Sequence, residues 1–241
     1  MYLSENKICA ALRHCYGPAL KAVYDKSEGT APYKAGLDLG DKYLWRREDF
    51  KEEESPVMEN GKSFLVNWEK GQKTGFFLDQ RDNREMVGEL ARGKRVLNLF
   101  CYTGGFSFYA MRGGAELVHS VDSSAKAIDL TKKNVEMNFP NDDRHEAYVK
   151  DAFKYLDEMG DNYDLIILDP PAFAKHRSAL HNALQGYKRL NAKAFEKIQH
   201  GGILFTFSCS QAVSKEQFRL AVFSAAAISG RKVRILHQLT Q

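Results

Sequence analysis

The chain is sparing with cysteine. It has four in 241 residues, Cys9, Cys15, Cys101 and Cys209, and no two form a CxxC pair. A zinc site built on paired cysteines is therefore not expected. Long apolar runs are also missing, and none approaches the ~18 residues of a membrane span. The opening residues Met1-Tyr-Leu-Ser-Glu-Asn-Lys carry no signal-peptide pattern and pass straight into a mixed amphipathic stretch. A cytoplasmic, reducing setting is the expectation, and disulfides are not expected there. No GxGxxG occurs, so a pyrophosphate cofactor is not indicated. Internal repeats and low-complexity segments are absent, which excludes the repeat architectures. Charge is nearly balanced: 35 Lys and Arg face 31 Asp and Glu, for a net +4. That excess permits a nucleic-acid partner without requiring one.

What is present is an ordinary globular composition, 44% apolar and 27% charged. The length suits one core domain with a small companion. Residues 1–74 show no strand–helix alternation. A helix over 8–16 stops at Gly17-Pro18, and 20–24 reads as a strand. Residues 57–68 read as a hairpin, because Asn60-Gly61 supplies the positive φ angles of a type I′ turn. The acidic run 48–54 reads as a solvated loop. From Gly75 onward the pattern turns regular. A helix over 79–90 precedes strands at 95–100, 117–121, 146–149, 165–168, 203–207 and 233–236. Helices over 106–112, 125–138, 152–159, 184–199 and 215–228 lie between them. Ser214-Lys-Glu-Gln217 is a capping box that places the start of the last helix. Such alternation predicts an α/β fold with a mainly parallel sheet and helices on both faces.

In an open α/β sheet, ligands bind beyond the carboxyl ends of the strands, so the residues there carry the functional argument. Tyr102-Thr103-Gly104-Gly105 lets a backbone approach a ligand and opens a helix; a plain strand-to-helix turn is the alternative. Asp122 follows the next strand, about 20 residues on, where a carboxylate accepts from ribose hydroxyls. It could instead cap the following helix, although Ser123 and Ser124 could serve there. Asp151 ends the third strand and could accept from an adenine amino group or cap a helix. Gly turn, acid, acid in succession suits a nucleoside without phosphates, such as S-adenosylmethionine. Asp169-Pro170-Pro171-Ala172-Phe173 is stiff, since two prolines fix φ and remove two donors. Its carbonyls and Asp169 are offered to a polar base edge and Phe173 to stacking; a Pro-terminated buried strand is the plainer reading. Cys209, in Phe207-Ser-Cys-Ser210, could be a nucleophile or a small core residue. Cys101 reads as core. Gly71-Gln-Lys-Thr-Gly75-Phe-Phe-Leu-Asp-Gln80-Arg81 mixes aromatics and cations, as suits a lid or cofactor edge; a linker burying its Phe residues is the other reading.

Together, Gly71 to Arg81, Asn98-Leu-Phe-Cys-Tyr-Thr-Gly-Gly-Phe106, Val121-Asp122, Asp169-Pro-Pro-Ala-Phe173 and Phe207-Ser-Cys-Ser210 resemble the bacterial class I S-adenosylmethionine-dependent methyltransferases of large-subunit ribosomal RNA. Among these, the similarity is greatest to the 5-methylcytosine type with an N-terminal PUA domain. It spans residues 57–237. The resemblance implies a Rossmann-like methyltransferase domain over 75–241 and a small N-terminal α+β domain over 1–74. It implies S-adenosylmethionine as cofactor, held by Asn98, Phe100, Tyr102, Thr103, Gly104, Asp122, Ser123, Asp151, Ala152, Asp169, Gln80 and Arg81. Catalysis falls to Cys209 and Asp169, the base to Pro170, Pro171 and Phe173, and no metal is implied. Ribosomal RNA is the implied partner, no membrane is expected, and a homodimer is left open. The family's PUA domain and its Pro-Glu-Gly-containing final hairpin are not found in these residues. Weak, strongly salt-dependent binding of short RNA is expected accordingly.

The chemistry implied is covalent. Cytosine carbon 5 is a poor nucleophile, and thiolate addition at carbon 6 makes the ring enamine-like. Ala172 and Phe173 occupy positions where two-cysteine relatives carry a thiol, which leaves Cys209 as sole nucleophile. Methylation of a ring or exocyclic nitrogen, which needs no thiol, is the close alternative. A non-catalytic RNA-binding protein of the same fold is the alternative from another class.

Overall fold

The structure is a computed structural model and describes residues 4–28, 40–50, 55–160, 163–174 and 176–239. The chain divides into two compact units, residues 1–59 with 64–77, and residues 60–63 with 78–241.

In the first unit, helix α1 spans Glu5–Tyr16 and stops where Gly17 takes φ +49°. A short 3-10 turn, Gly17–Ala19, follows around Pro18. Leu20, expected to start a strand, instead closes that turn with its N–H on the Gly17 carbonyl, and β1 runs Ala22–Asp25. It pairs antiparallel with β2, Lys42–Arg46, with Val23 opposite Trp45. Aromatic rings fill the space beside this ribbon: Tyr24 lies 4.7 Å from Tyr43, and Phe50 stacks on Trp68 at 6.1 Å. The Lys26 ammonium donates to the carbonyls of Trp68, Glu69 and Gly71 and so anchors the start of the 71–81 motif. Strands β3, Ser55–Glu59, and β4, Lys62–Val66, form the expected hairpin. Its turn residues Asn60 and Gly61 have φ of +48° and +75°. Of the acidic run, Glu48 and Asp49 are exposed, while residues 51–54 lie outside the described residues.

The second unit is a five-stranded parallel sheet. Its strands are β5 Arg95–Leu99, β6 Leu117–Asp122, β7 His145–Val149, β8 Leu165–Leu168 and β9 Ile203–Thr206. Their order is β7-β6-β5-β8-β9. Helices α2 Arg81–Leu90, α3 Gly105–Arg112, α4 Ala125–Asn138, α5 Ala152–Glu158, α6 Leu180–Lys197 and α7 Lys215–Ile228 cover it. One core face gathers Val96, Val118, Leu165, Ile167, Phe205 and Phe207 under α2 and α3. The other gathers Leu97, Leu99, Ile166, Leu168 and Leu190 under α5 and α6. Opposite alternation of neighbours along β5 and β8 is what a strand buried on both faces demands. Each fully buried aliphatic side chain contributes about 1.5–3 kcal/mol. The Ser214–Gln217 capping box is present with both its hydrogen bonds.

Three expectations need correcting. Helix α6 begins at Leu180 rather than 184 and ends at Lys197. The helix expected over 79–90 opens with a 3-10 turn, Leu78–Gln80, before α2. Residues 233–236 form no strand: Val233, Ile235 and Leu236 are exposed and no ladder partner meets them. An apolar run becomes a strand only where another strand takes up its N–H and C=O groups.

Candidate active site

Strand order reverses beside β5, where the chain passes out to β6 and β7 and returns to β8. The crevice at such a switch point is where an open sheet binds ligands. All five strands deliver a candidate residue at this end: the 100–104 turn after β5, Asp122 at β6, Asp151 after β7, Asp169 after β8 and Cys209 after β9.

The turn after β5 is strained. Phe100 and Tyr102, both bulky, hold φ of +59° and +48°, and Gly104 holds +83°. Such angles cost about 1–3 kcal/mol at a non-glycine residue and persist only where the surroundings impose them. Here the imposing groups are visible. The Asp122 carboxylate accepts from the Tyr102 N–H at 3.0 Å and the Ser124 N–H at 2.9 Å. From α4, the Thr131 hydroxyl sits 2.9 Å from the Tyr102 carbonyl, and Asn134 donates to the Thr103 carbonyl at 3.0 Å. A Cβ on Gly104 would come within 2.7 Å of the Thr131 methyl group, so only glycine fits. Thr131 and Asn134 escaped the sequence reading. Their signal was two polar residues among Ala127, Ile128 and Val135, the buried positions of α4.

Asp122 is not the cap of α4; Ser124 is, accepting from the Ala127 N–H. Ser123 between them is exposed. Asp151 does cap α5, accepting from Lys154 at 3.0 Å, and remains exposed. Ala152 is 4% exposed and packs into the core beneath. Asn98 is wholly buried, so its expected direct contact with a cofactor is corrected. It donates instead to the Ser107 hydroxyl at 2.9 Å. Ser107 lies 2.6 Å from Ser120, and Ser120 lies 2.8 Å from Nε2 of His145. Read from Asn98, whose amide nitrogen can only donate, each hydroxyl donates onward and His145 accepts as a neutral ring. Burial, with His119 adding to it, pushes the His145 pKa down to about 4, which keeps that ring neutral. Desolvation likewise lowers the pKa of His119, which lies 2.6 Å from the Tyr163 hydroxyl.

Gln80 and Asp169, far apart in sequence, meet. The Gln80 amide nitrogen lies 3.4 Å from both Asp169 carboxylate oxygens. Asn83 orients that amide by donating to its oxygen at 2.6 Å. Arg81, by contrast, is exposed, with its guanidinium 3.4 Å from Asp82. Beyond β8 and β9, Cys209 is exposed and its thiol donates to the Pro170 carbonyl at 3.6 Å. That carbonyl therefore faces the thiol. Pro170 is buried and Pro171 exposed. Phe173 is not an open stacking face: its ring lies 4.6 Å from Tyr187, within the apolar cluster under α6. Ser210 joins the two loops, 3.2 Å from the Ala174 N–H and 2.8 Å from the Tyr187 hydroxyl. Cys101 differs from Cys209 in every respect. Burial, and then the Asp122 charge, push its thiol far above the ordinary cysteine range, so it stays protonated.

Among the described residues, no group of three or more His, Cys, Asp or Glu is placed to hold a metal. None of the described helices is long and apolar enough to cross a membrane.

A family model described as S-adenosylmethionine-dependent methyltransferase matches residues 45–237. The chain is similar to the ribosomal RNA large subunit methyltransferase I of Aeromonas hydrophila, 40% identical, covering 98% of this chain and 60% of that protein. With the protein of the same description from Shewanella amazonensis it shares 41% identity, covering 91% and 56%. The chain thus spans about 60% of the length of these curated relatives. Among solved structures, a putative SAM-dependent methyltransferase from Streptococcus mutans superposes with a TM-score of 0.77 at 29% identity, over 93% of this chain and 56% of that one. A putative methyltransferase complexed with SAH gives the same TM-score of 0.77 and 29% identity, over 93% and 57%.

Proposed function

The chain belongs to the S-adenosylmethionine-dependent methyltransferase family, and from that premise we propose that it methylates carbon 5 of a cytosine in large-subunit ribosomal RNA, with Cys209 as nucleophile. The substrate class follows the description of the curated relatives. The observation that carries the chemistry is the contrast of the two strand-end thiols: Cys209 exposed beside Asp169-Pro170-Pro171, Cys101 sealed and protonated. On this reading residues 75–241 form the catalytic domain, residues 1–74 a small accessory domain, and the protein works in the cytoplasm.

The site fits S-adenosylmethionine. A strained, glycine-dependent turn flanked by the Asp122 and Asp151 carboxylates suits an uncharged ribose and adenine better than phosphates. Residues 100–104 would line it, Asp122 would accept from the ribose hydroxyls, and Asp151 from the adenine amino group. Gln80 and Asp169 would face its amino-acid end and the base. Arg81 and Ser123 border the same region from exposed positions, and Asn98 and Ala152 support the turn from beneath. When bound, the cofactor supplies an electrophilic methyl group.

The remaining steps belong to this chain's own groups. Cys209, as thiolate, adds to carbon 6 of the cytosine and raises electron density at carbon 5, which takes the methyl group. Asp169, held by Gln80, supports the ring at nitrogen 3 during addition. Loss of the carbon 5 proton and expulsion of the thiolate restore the ring. Pro171 supplies an exposed rigid edge to the base, while Phe173 holds the loop from behind.

The test is transfer of labelled methyl groups to large-subunit ribosomal RNA. Cys209→Ala is expected to abolish transfer while leaving cofactor affinity nearly intact. Cys101→Ala is expected to retain activity, with a small stability loss from the cavity it leaves. Transfer by Cys209→Ala would overturn carbon 5 chemistry and favour methylation of a nitrogen.

A further inference from the structure

From residue 170 to residue 195 the sequence has no aspartate or glutamate. The same stretch carries Lys175, Arg177, Lys188, Arg189 and Lys193, together with His176 and His181. Five cations against no acid exceed the +4 of the whole chain, so the remaining residues carry one excess negative charge. Elsewhere in this unit several basic side chains are paired: Arg112 with Glu85, Arg144 with Asp142, Lys150 with Glu158.

The segment begins at the Asp169-Pro170-Pro171 loop and runs through the 3-10 turn Arg177–Ala179 into α6. His176, Arg177, His181 and Arg189 are exposed and Lys188 is half-buried. No carboxylate among the described residues pairs with them; the first acid partner along α6 is Asp157, which holds Lys193. His181, Gln185 and Arg189 follow at four-residue spacing and share one exposed face of α6. From His181 to Arg189 that face rises about 12 Å. The strip is fixed to the candidate nucleophile loop: Tyr187, between its cations, meets Ser210, the residue after Cys209, at 2.8 Å.

We propose that this strip, Arg177, His181, Lys188 and Arg189, is the surface on which the phosphate backbone of the RNA substrate lies, so that the target base reaches Cys209 from the α6 side. The proposal rests on the RNA reading above and adds the face by which RNA enters. Unpaired cations on a rigid helix neutralise phosphates at little cost, because no internal ion pair has to be broken first. Arg177 and Arg189 are the main contacts, being exposed and permanently charged.

The test uses the full chain and a synthetic RNA hairpin with cytosines in its loop. Its dissociation constant is measured between 50 and 200 mM salt, at a salt range where counterion release dominates. Arg177→Gln with Arg189→Gln is expected to weaken binding at least tenfold and to lower the salt slope by about 1.4–1.8, or about 0.7–0.9 for each phosphate lost. Lys193→Gln, which removes one charge at a paired site, is expected to leave both nearly unchanged. Arg177→Lys with Arg189→Lys keeps the charges and is expected to restore most of the binding. Equal effects per charge removed in the Arg and Lys193 variants would overturn the proposal, because net charge alone would then explain them. Cofactor affinity, measured by calorimetry, is expected to stay constant throughout. Methyl transfer to ribosomal RNA by the unaltered chain is scored separately: its absence would overturn the reaction, while the salt slopes would still decide where RNA lies.

Discussion

At the scale of single residues, Asp122 is where the strained turn and the proposed ribose site would meet. Its carboxylate holds the Tyr102 and Ser124 N–H groups, and so helps impose the positive φ of Tyr102. Each oxygen accepts one of these bonds and keeps capacity for another, which is what two ribose hydroxyls need. Asp122→Ala removes a charged acceptor and a brace of the turn together. Hydrogen bonds to a charged group are worth about 1.5–3 kcal/mol each, so S-adenosylmethionine affinity is expected to fall at least tenfold in calorimetry. Unchanged affinity would reduce Asp122 to a prop of the loop. Sequence reasoning placed Asp122, Asp169 and Cys209 at strand ends, where the structure has them, because such residues are identified by the strands before them. It misjudged Asn98 and Phe173 because one sits inside an apolar strand and the other in the loop after one, where only tertiary packing decides which way a side chain turns. It missed Thr131, Asn134 and Ser210, whose partners lie on other elements.

At the scale of elements, β5, β6, β7 and α3 are joined behind the turn by the chain from Asn98 through Ser107 and Ser120 to His145. The chain requires a neutral imidazole, and this has a thermodynamic consequence. The folded-state pKa of His145, about 4, lies below its ordinary 6.5. The unfolded chain therefore binds the proton first as pH falls. The stabilisation is complete above about pH 6.5 and is lost on acidification toward pH 4, by on the order of 2–3 kcal/mol. His145→Gln still accepts from Ser120 but cannot titrate. Urea midpoints of the two proteins are expected to diverge across this window, with the wild type falling more steeply. Parallel curves would remove His145 from the account. The elements themselves were legible wherever local signals agreed. The boundaries of α4 and α7 were read to the residue because Ser124 and Ser214 cap them. Residues 233–236 looked the same to a pattern of apolar residues as a true strand does, and only the missing ladder partner distinguishes them.

At the scale of the molecule, the sheet gathers at one end what the sequence scatters over a hundred residues. The strained turn and the Asp122 carboxylate lie at the centre of the order β7-β6-β5-β8-β9, and the Asp169 and Cys209 loops lie toward its β9 edge. An acid-free stretch carrying Arg177, Lys188 and Arg189 extends from that edge into α6. On the proposed reading, cofactor, base and RNA would follow one another across the second unit. The central claim is that Cys209 bonds covalently to a cytosine during turnover, and RNA containing 5-fluorocytosine tests it most directly, because fluorine at carbon 5 prevents the proton loss that releases the enzyme. With S-adenosylmethionine present, the wild type and Cys101→Ala are expected to give a protein–RNA adduct stable on a denaturing gel, and Cys209→Ala none. Methylation of ordinary RNA with no adduct from the wild type, or an adduct from Cys209→Ala, would contradict the account.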